Sequence, residues 1–444
     1  MLIINLLKNF SMNKIESIIN KLEEANSKII LFLIFIFFAI SAIFLIFNLG
    51  DKPEFDELAY ISHVETIYES DTYWYLGDRN RMPLFNYLLT IFYSEDFSQN
   101  FQYKIFQLTN LLFVVIISII YTVKIRSHFK SKIYFYCCVI FTLFIPVISY
   151  IHDVVVESLF YITYGIFCLY AKNILEKPHR KNYFKFSIVS VVLYLLKATG
   201  LNLFFTSLIL FGIINFYKKR ISIKNTIINS FLSIILFITL CSPYLIENYN
   251  KFNGHIFYNV NTTFYVWYDS WEEVESGTKF YGDRLGWPRM PESELPSFEK
   301  YLDEHSLEEI IKRFLQGYIS IFYYYTSVKE FTGSISISIF LLCCFIFYLN
   351  NHHNYSKLVK YKIDSFNFYI FFNTLILLTG SAWYSYIAPV PRFTILIFVP
   401  VYFIIFTKID ELGKKENTIS KTTNLLIIFF IFILTQSTIL INQI

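Results

Sequence analysis

The chain has 444 residues, 55% of them hydrophobic and only 16% charged. A soluble domain of this size carries about a quarter charged residues, so a soluble globular enzyme is excluded. The net charge of +4 says little by itself, because the charges are segregated along the chain, and no nucleic-acid partner is expected.

From the N-terminus, residues 1–28 read as an amphipathic cytoplasmic helix lying on the membrane. The first long apolar run begins only near Ile29 and Gly50-Asp51-Lys52 is a poor small-residue cleavage site, so no cleavable signal peptide is expected. Runs of this kind recur, and about eleven transmembrane helices are expected. Their limits are 29–49, 105–123, 133–150, 154–171, 184–197, 201–217, 227–245, 332–349, 366–386, 392–407 and 423–441. Alternate loops are basic: 124–132, 172–185, 218–224, 357–362 and 408–421. The positive-inside rule puts them and the N-terminus in the cytoplasm, with the chain in the plasma (inner) membrane. The fold class is an all-α polytopic membrane protein. A membrane module spans 29–245, including a first outer loop at 50–104. An outer loop or lid region follows at 246–331, then C-terminal membrane helices at 332–444. All six cysteines (Cys137, Cys138, Cys168, Cys241, Cys343 and Cys344) lie in apolar runs or at their edges, where inert buried thiols are the reading.

The first outer loop is the richest segment. Asp51 and Glu54 give a capping-box-like helix start, with Pro53 in the first turn, and the helix runs to about Glu69. Helical spacing aligns Asp56, Tyr60, His63 and Ile67, with Glu57 roughly 100° around. Acidic residues in a first helical turn are favoured by the dipole alone, so the pair has a bland reading too. The next segment makes it more pointed: aromatics at 73–75, then Arg81, Met82 and Pro83 before an apolar helix. A guanidinium beside a membrane face suits a lipid phosphate, because it donates two parallel hydrogen bonds.

Further along, His152 and Asp153 occupy a short outer turn, with Glu157 one helical turn on. They are candidate pocket residues. A divalent cation among Glu54, Asp56, His63, His152 and Asp153 is left open, although no metal-ligand spacing is diagnostic. The long outer loop carries Asp283–Pro291 at its centre and an amphipathic helix at 306–318, with Leu307, Ile310, Ile311, Phe314 and Leu315 on one face. The sequon at Asn261 has chance occurrence as its simplest reading.

Several marks together resemble the GT-C superfamily (type A) of membrane glycosyltransferases, which includes the protein O-mannosyltransferases and the lipid A aminoarabinose transferases. There is an acidic motif after the first span (Asp56, Glu57, Tyr60) and a basic residue before a Pro-Leu segment (Arg81, Pro83, Leu84). A short span ends in Leu196-Lys-Ala-Thr-Gly200. Ser242-Pro-Tyr-Leu-Ile-Glu-Asn-Tyr249 is followed by Phe252-Asn-Gly254, and Pro391-Arg392-Phe393 opens the tenth span. The chain departs from the pattern at Glu247, where an arginine is common, and at Met82-Pro83, where the aminoarabinose transferases have Pro-Pro.

The resemblance implies an inverting transfer from a polyprenyl-phosphate-linked sugar donor to a lipid, glycan or protein acceptor on the outer face. It puts the general base on Asp56 and an acceptor-positioning or helix-holding role on Glu57. Arg81, Lys197 and Arg392 would hold the donor phosphate, with Tyr60, His63, His152 and Asp153 around the pocket. No cofactor is certain. Snorkelling Lys197 and interface-anchoring Arg392 are the plain alternatives. A transporter or flippase of lipid-linked sugars is a rival reading, but would concentrate ionisable groups near the bilayer midplane. A polysaccharide polymerase or ligase would lean on basic and histidine residues in the late loop.

Overall fold

The computed structural model describes residues 17, 21–50, 52–53, 56–70, 81–218, 222–251, 256, 267–273, 276, 297–327, 331–352, 364–387, 391–412 and 418–443. The capping residues Asp51 and Glu54, the aromatics at 73–75, Phe252–Gly254, the sequon at Asn261 and the 283–291 segment lie outside them, as does most of the expected N-terminal surface helix.

Among the described residues every regular element is helical. The elements are α1 (Ser27–Asn48), α2 (Asp56–Glu69), α3 (Pro83–Thr90), α4 (Gln99–Ile125), α5 (Lys132–Thr142), α6 (Glu157–Glu176), α7 (Arg180–Leu196) and α8 (Thr199–Lys218). Then come α9 (Ile223–Lys251), α10 (Phe298–Glu304), α11 (Leu307–Thr326), α12 (Phe331–His352), α13 (Ser365–Ser385), α14 (Phe398–Leu412) and α15 (Thr418–Gln443). Each of the eleven expected apolar segments is thus helical. Seven of the helices are long and apolar enough to cross a membrane: α1, α4 with its extension to His128, α5 with its extension to Tyr150, α6, α8, α9 and α13.

Burial sorts these helices. α6 is packed on nearly every side, with Tyr161, Ile162, Tyr164 and Phe167 fully buried. It is the central post against which α4, α7 and α14 pack. By contrast α1 exposes Phe32, Phe37, Phe44 and Phe47, as a helix facing hydrocarbon does. Aromatic stacking fills the interior: Phe204 lies flat on Phe237 at 4.5 Å, and Phe211 on Tyr369 at 5.6 Å.

Three local features aim the chain at one end of the bundle. Proline at 146 has no N–H to give, so α5 loosens into a π turn and a 3₁₀ turn through Tyr150. That delivers the 151–156 turn to the first residue of α6. At the other end of α7, Lys197 leaves the helix in an extended conformation (φ −154°, ψ 133°). The turn into α8 is so tight that a Cβ on Gly200 would sit 2.6 Å from the Tyr194 nitrogen. Finally, 3₁₀ turns at Pro391–Phe393 and Ile395–Ile397 precede α14, and the Tyr161 hydroxyl donates to the Arg392 carbonyl at 2.6 Å.

The amphipathic helix of the outer loop is longer than its sequence pattern suggests. Ser306 and Glu309 form a capping box, and α11 continues to Thr326. Only one edge of its apolar stripe packs on the protein, with Phe314 against Trp383 at 4.9 Å, while Leu307, Ile311, Leu315 and Ile319 are exposed. The face that packs on α13 carries Arg313 and Gly317 instead. A Cβ on Gly317 would lie 1.7 Å from the Ala382 carbonyl oxygen, so only glycine permits this approach.

Candidate functional site

Asp56 opens α2, and Met82 in extended geometry with Pro83 at the first helical position starts α3. Arg81, immediately before them, reaches across. Its Nη2 donates to Asp56 Oδ1 at 2.7 Å, and its guanidinium sits 4.9 Å from the centre of the Tyr60 ring. The other Asp56 oxygen accepts from Nη2 of Arg392, which the 3₁₀ turn before α14 supplies. Arg392 also faces Glu157, with Nε 3.6 Å from Oε1. Glu157 in turn accepts from Lys197 Nζ at 2.8 Å. Lys197 rests over the Phe393 ring at 4.6 Å.

The result is a chain of five charges, Arg81, Asp56, Arg392, Glu157 and Lys197, drawn from five separate places in the sequence. Among the described residues, three cations face two carboxylates. Burial pushes the Asp56 carboxyl up, but the Arg81 and Arg392 guanidiniums outweigh it and hold it at about 2. Asp56 is therefore an ionised, acceptor-only group at neutral pH. Its side chain is 35% exposed, against 4% for Glu157. The carboxylate that can meet a second molecule is Asp56, and the one that organises cations from behind is Glu157.

The remaining expected site residues fall into place around this chain. Glu57 turns the other way: Oε1 accepts from the Tyr103 hydroxyl at 2.7 Å and from the Val154 N–H at 2.6 Å. That geometry fits holding α2 against α4 and the 151–156 turn, rather than touching an acceptor beside Asp56. Tyr60 lies under Arg81 and edge-on to Phe85 at 5.2 Å. His63 is buried, its Nδ1 2.6 Å from the Asn86 side-chain nitrogen, which ties α2 to α3. His152 and Asp153 sit in the turn that Gln107 and Asn110 of α4 hold by its backbone carbonyls, and burial pushes the His152 imidazole down. Among the described residues no three His, Cys, Asp or Glu side chains converge as a metal site.

The sequence reading named Glu157 only as a neighbour of His152-Asp153. The signal was available: a lone carboxylate heading an otherwise apolar helix is costly unless cations meet it. A second cluster left no local signal. Asp269 accepts from Arg313 Nη1 at 3.2 Å and from the Tyr301 hydroxyl at 3.1 Å, and lies 2.6 Å from His305 Nε2. Arg313 is buried under Trp383, with its guanidinium 4.3 Å from that ring, and donates through Nε to the Trp383 carbonyl.

No protein-family model matches the sequence, and no curated protein matches it either.

Proposed function

We propose that the chain is an inverting glycosyltransferase that moves a sugar from a polyprenyl-phosphate carrier to an acceptor hydroxyl at the outer membrane face. In this reading all eleven apolar segments cross the membrane in a GT-C-type arrangement, with the N-terminus cytoplasmic and the charge cluster outside. The observation that carries it is the partly exposed, ionised Asp56 held between two guanidiniums, with Glu157 and Lys197 next in the cluster.

The charge arithmetic suits this chemistry. A phosphodiester donor brings one negative charge to a site where Arg81, Arg392 and Lys197 are gathered around Asp56 and Glu157. The acceptor oxygen attacks the anomeric carbon from the face opposite the phosphate, forming the new C–O bond. The bond from the anomeric carbon to the phosphate oxygen breaks, and its electron pair leaves with the phosphate. The acceptor proton passes to Asp56. The phosphate gains a negative charge as Asp56 loses one, so the arginines freed from Asp56 meet the charge that develops on the leaving group. A carboxylate held at about 2 is a weak base. Its proton transfer is late, after the hydroxyl oxygen has begun to bond to carbon. Glu157 keeps Lys197 and Arg392 in register for the phosphate.

The rival transport reading asks for ionisable groups deep in the bundle. Among the described residues the buried carboxylates lie at helix ends, Glu57 and Glu157 in first turns and Asp410 in a last turn, and the buried Arg313 belongs to the helix that follows the long loop.

The test is Asp56→Asn in purified protein supplied with a polyprenyl-phosphate sugar and an acceptor. Transfer is expected to fall by roughly 10²–10⁴, with the detergent-solubilised protein remaining monodisperse. Full transfer by the Asn variant would sink the assignment of the base.

A further inference from the structure

A second polar site lies at the opposite end of the bundle. From Asn110, which holds the 151–156 turn, α4 runs another fourteen residues to Lys124, roughly 20 Å along the axis. There a cavity of about 160 Å³ opens between α4 and α6, lined by Lys124, Ser127, His128, Leu169, Tyr170 and Asn173. No carboxylate lines it. The nearby Glu176 carboxylate is already engaged by Lys172. The Lys124 ammonium donates to the Tyr170 hydroxyl at 2.6 Å while lying 4.4 Å above that ring. It has three protons to give and no carboxylate to take them here.

The side of α4 that leads to this cavity is apolar and outward-facing. Leu112, Ile116, Ile119 and Val123 are exposed and recur at helical spacing. They form a strip along one face that ends beside the exposed Ser127, with the half-buried Lys124 roughly 110° further round the helix. The loops at this end carry Arg126, Lys130 and Lys132 on one side and Lys172, Lys177, Arg180 and Lys181 on the other, and the carboxylates among them are engaged: Glu176 by Lys172, and Glu23 and Asp410 by the 130–132 backbone. An apolar strip running into a cation-lined cavity has the shape of a phospholipid: chains along the helix and phosphate at its end.

We propose that this cavity binds the phosphate of an anionic phospholipid headgroup, held by Lys124 with His128, Ser127 and Asn173 as hydrogen-bonding neighbours, its acyl chains lying on the Leu112–Val123 strip of α4. The site is independent of the charge cluster at the other end.

Native mass spectrometry of the full chain, delipidated and then titrated with phosphatidylglycerol or phosphatidylcholine, tests it. A second arm follows inorganic phosphate by ³¹P line broadening. The wild type is expected to retain phosphatidylglycerol preferentially. Lys124→Gln should weaken that retention about tenfold, as loss of a charge-assisted hydrogen bond does. Asn173→Leu keeps the charge and fills the cavity, so it should weaken retention as well, which guards against misfolding of one variant. Inorganic phosphate that binds as tightly as the lipid and is lost in the same variants would overturn the lipid assignment in favour of a free anion. Equal retention of both lipids, or retention unchanged by both substitutions, would overturn the site.

Discussion

Two aspartate–arginine clusters serve different ends in this molecule, and the difference lies in what surrounds the arginine. Arg313 is 2% exposed, with aromatic rings of Trp383, Tyr301 and Tyr386 around its guanidinium and a backbone carbonyl on Nε. Its partner Asp269 is shared with a tyrosine hydroxyl and a histidine. All of these partners belong to the protein, and the cluster fastens α10 and α11 to the end of α13. In the Asp56 cluster the same pair is opened out. Among the described residues two arginines and a lysine serve two carboxylates, and Arg392 is 24% exposed. The lock seals its arginine behind rings, whereas Arg392 and Asp56 keep surface that a second molecule can reach. The two clusters are also joined, because Tyr384 of α13 packs edge-on against Phe393, beside Arg392.

The sharpest way to break this contrast is to remove one arginine from each cluster. Arg392→Gln takes away a guanidinium that faces both Asp56 and Glu157. Transfer at low donor concentration should fall by about 10²–10³, the usual cost of losing one preorganised donor to a developing anion. The thermal midpoint should move little. Steady-state rates against donor concentration measure the first and a detergent-phase melt the second. A variant with unchanged rates and a large loss of midpoint would turn the Asp56 cluster into a second lock.

Arg313→Leu should do the reverse. It strips the aromatic cage of its cation and leaves Asp269 with fewer donors. A buried pair broken on one side costs about 3–5 kcal/mol, and partial exposure of Asp269 puts this one near the lower end. The melt should drop by several degrees, while the rate per folded molecule stays close to the wild type. Loss of rate with an unchanged melt would move the outer loop into the site.

Much of the membrane architecture was legible because hydrocarbon demands long apolar runs, and a run of that kind can be read without knowing its neighbours. Asp56, Arg81, Lys197 and Arg392 stood out for the same reason, as charges at the ends of such runs. Their meeting depends on backbone breaks at Pro146, Lys197 and Pro391, whose consequences are felt only in three dimensions. Glu57 and Asp56 are adjacent in sequence yet face different partners, and helical spacing anticipated that separation without naming Tyr103 or Val154. The Asp269–His305–Arg313 cluster draws on residues 36 and 44 positions apart, too far for any local pattern to join them.

The smallest effect discriminates the lock most finely, through His305. Burial pushes its imidazole down, but the Tyr301 carbonyl at Nδ1 and the Asp269 carboxylate at Nε2 outweigh it and raise it above the ordinary histidine value. Glu309 adds to the rise; Arg313 and Lys312 are the cations nearby in the sequence. A raised folded-state value means that the ion pair contributes fully below the unfolded value, about 6.5. The contribution fades as pH climbs through the folded value. Solvent screening keeps it below about 1 kcal/mol. The melt of His305→Gln should therefore lie below that of the wild type near pH 5.5 and approach it in mildly alkaline buffer. Asp56 offers the opposite dependence: its depressed carboxyl contributes above an unfolded value of 3.8 and is lost only as pH falls through about 2. Between pH 5.5 and 8.5 only the lock should respond, so a gap between the two melts that widens with rising pH would mean that His305 is neutral in the folded protein.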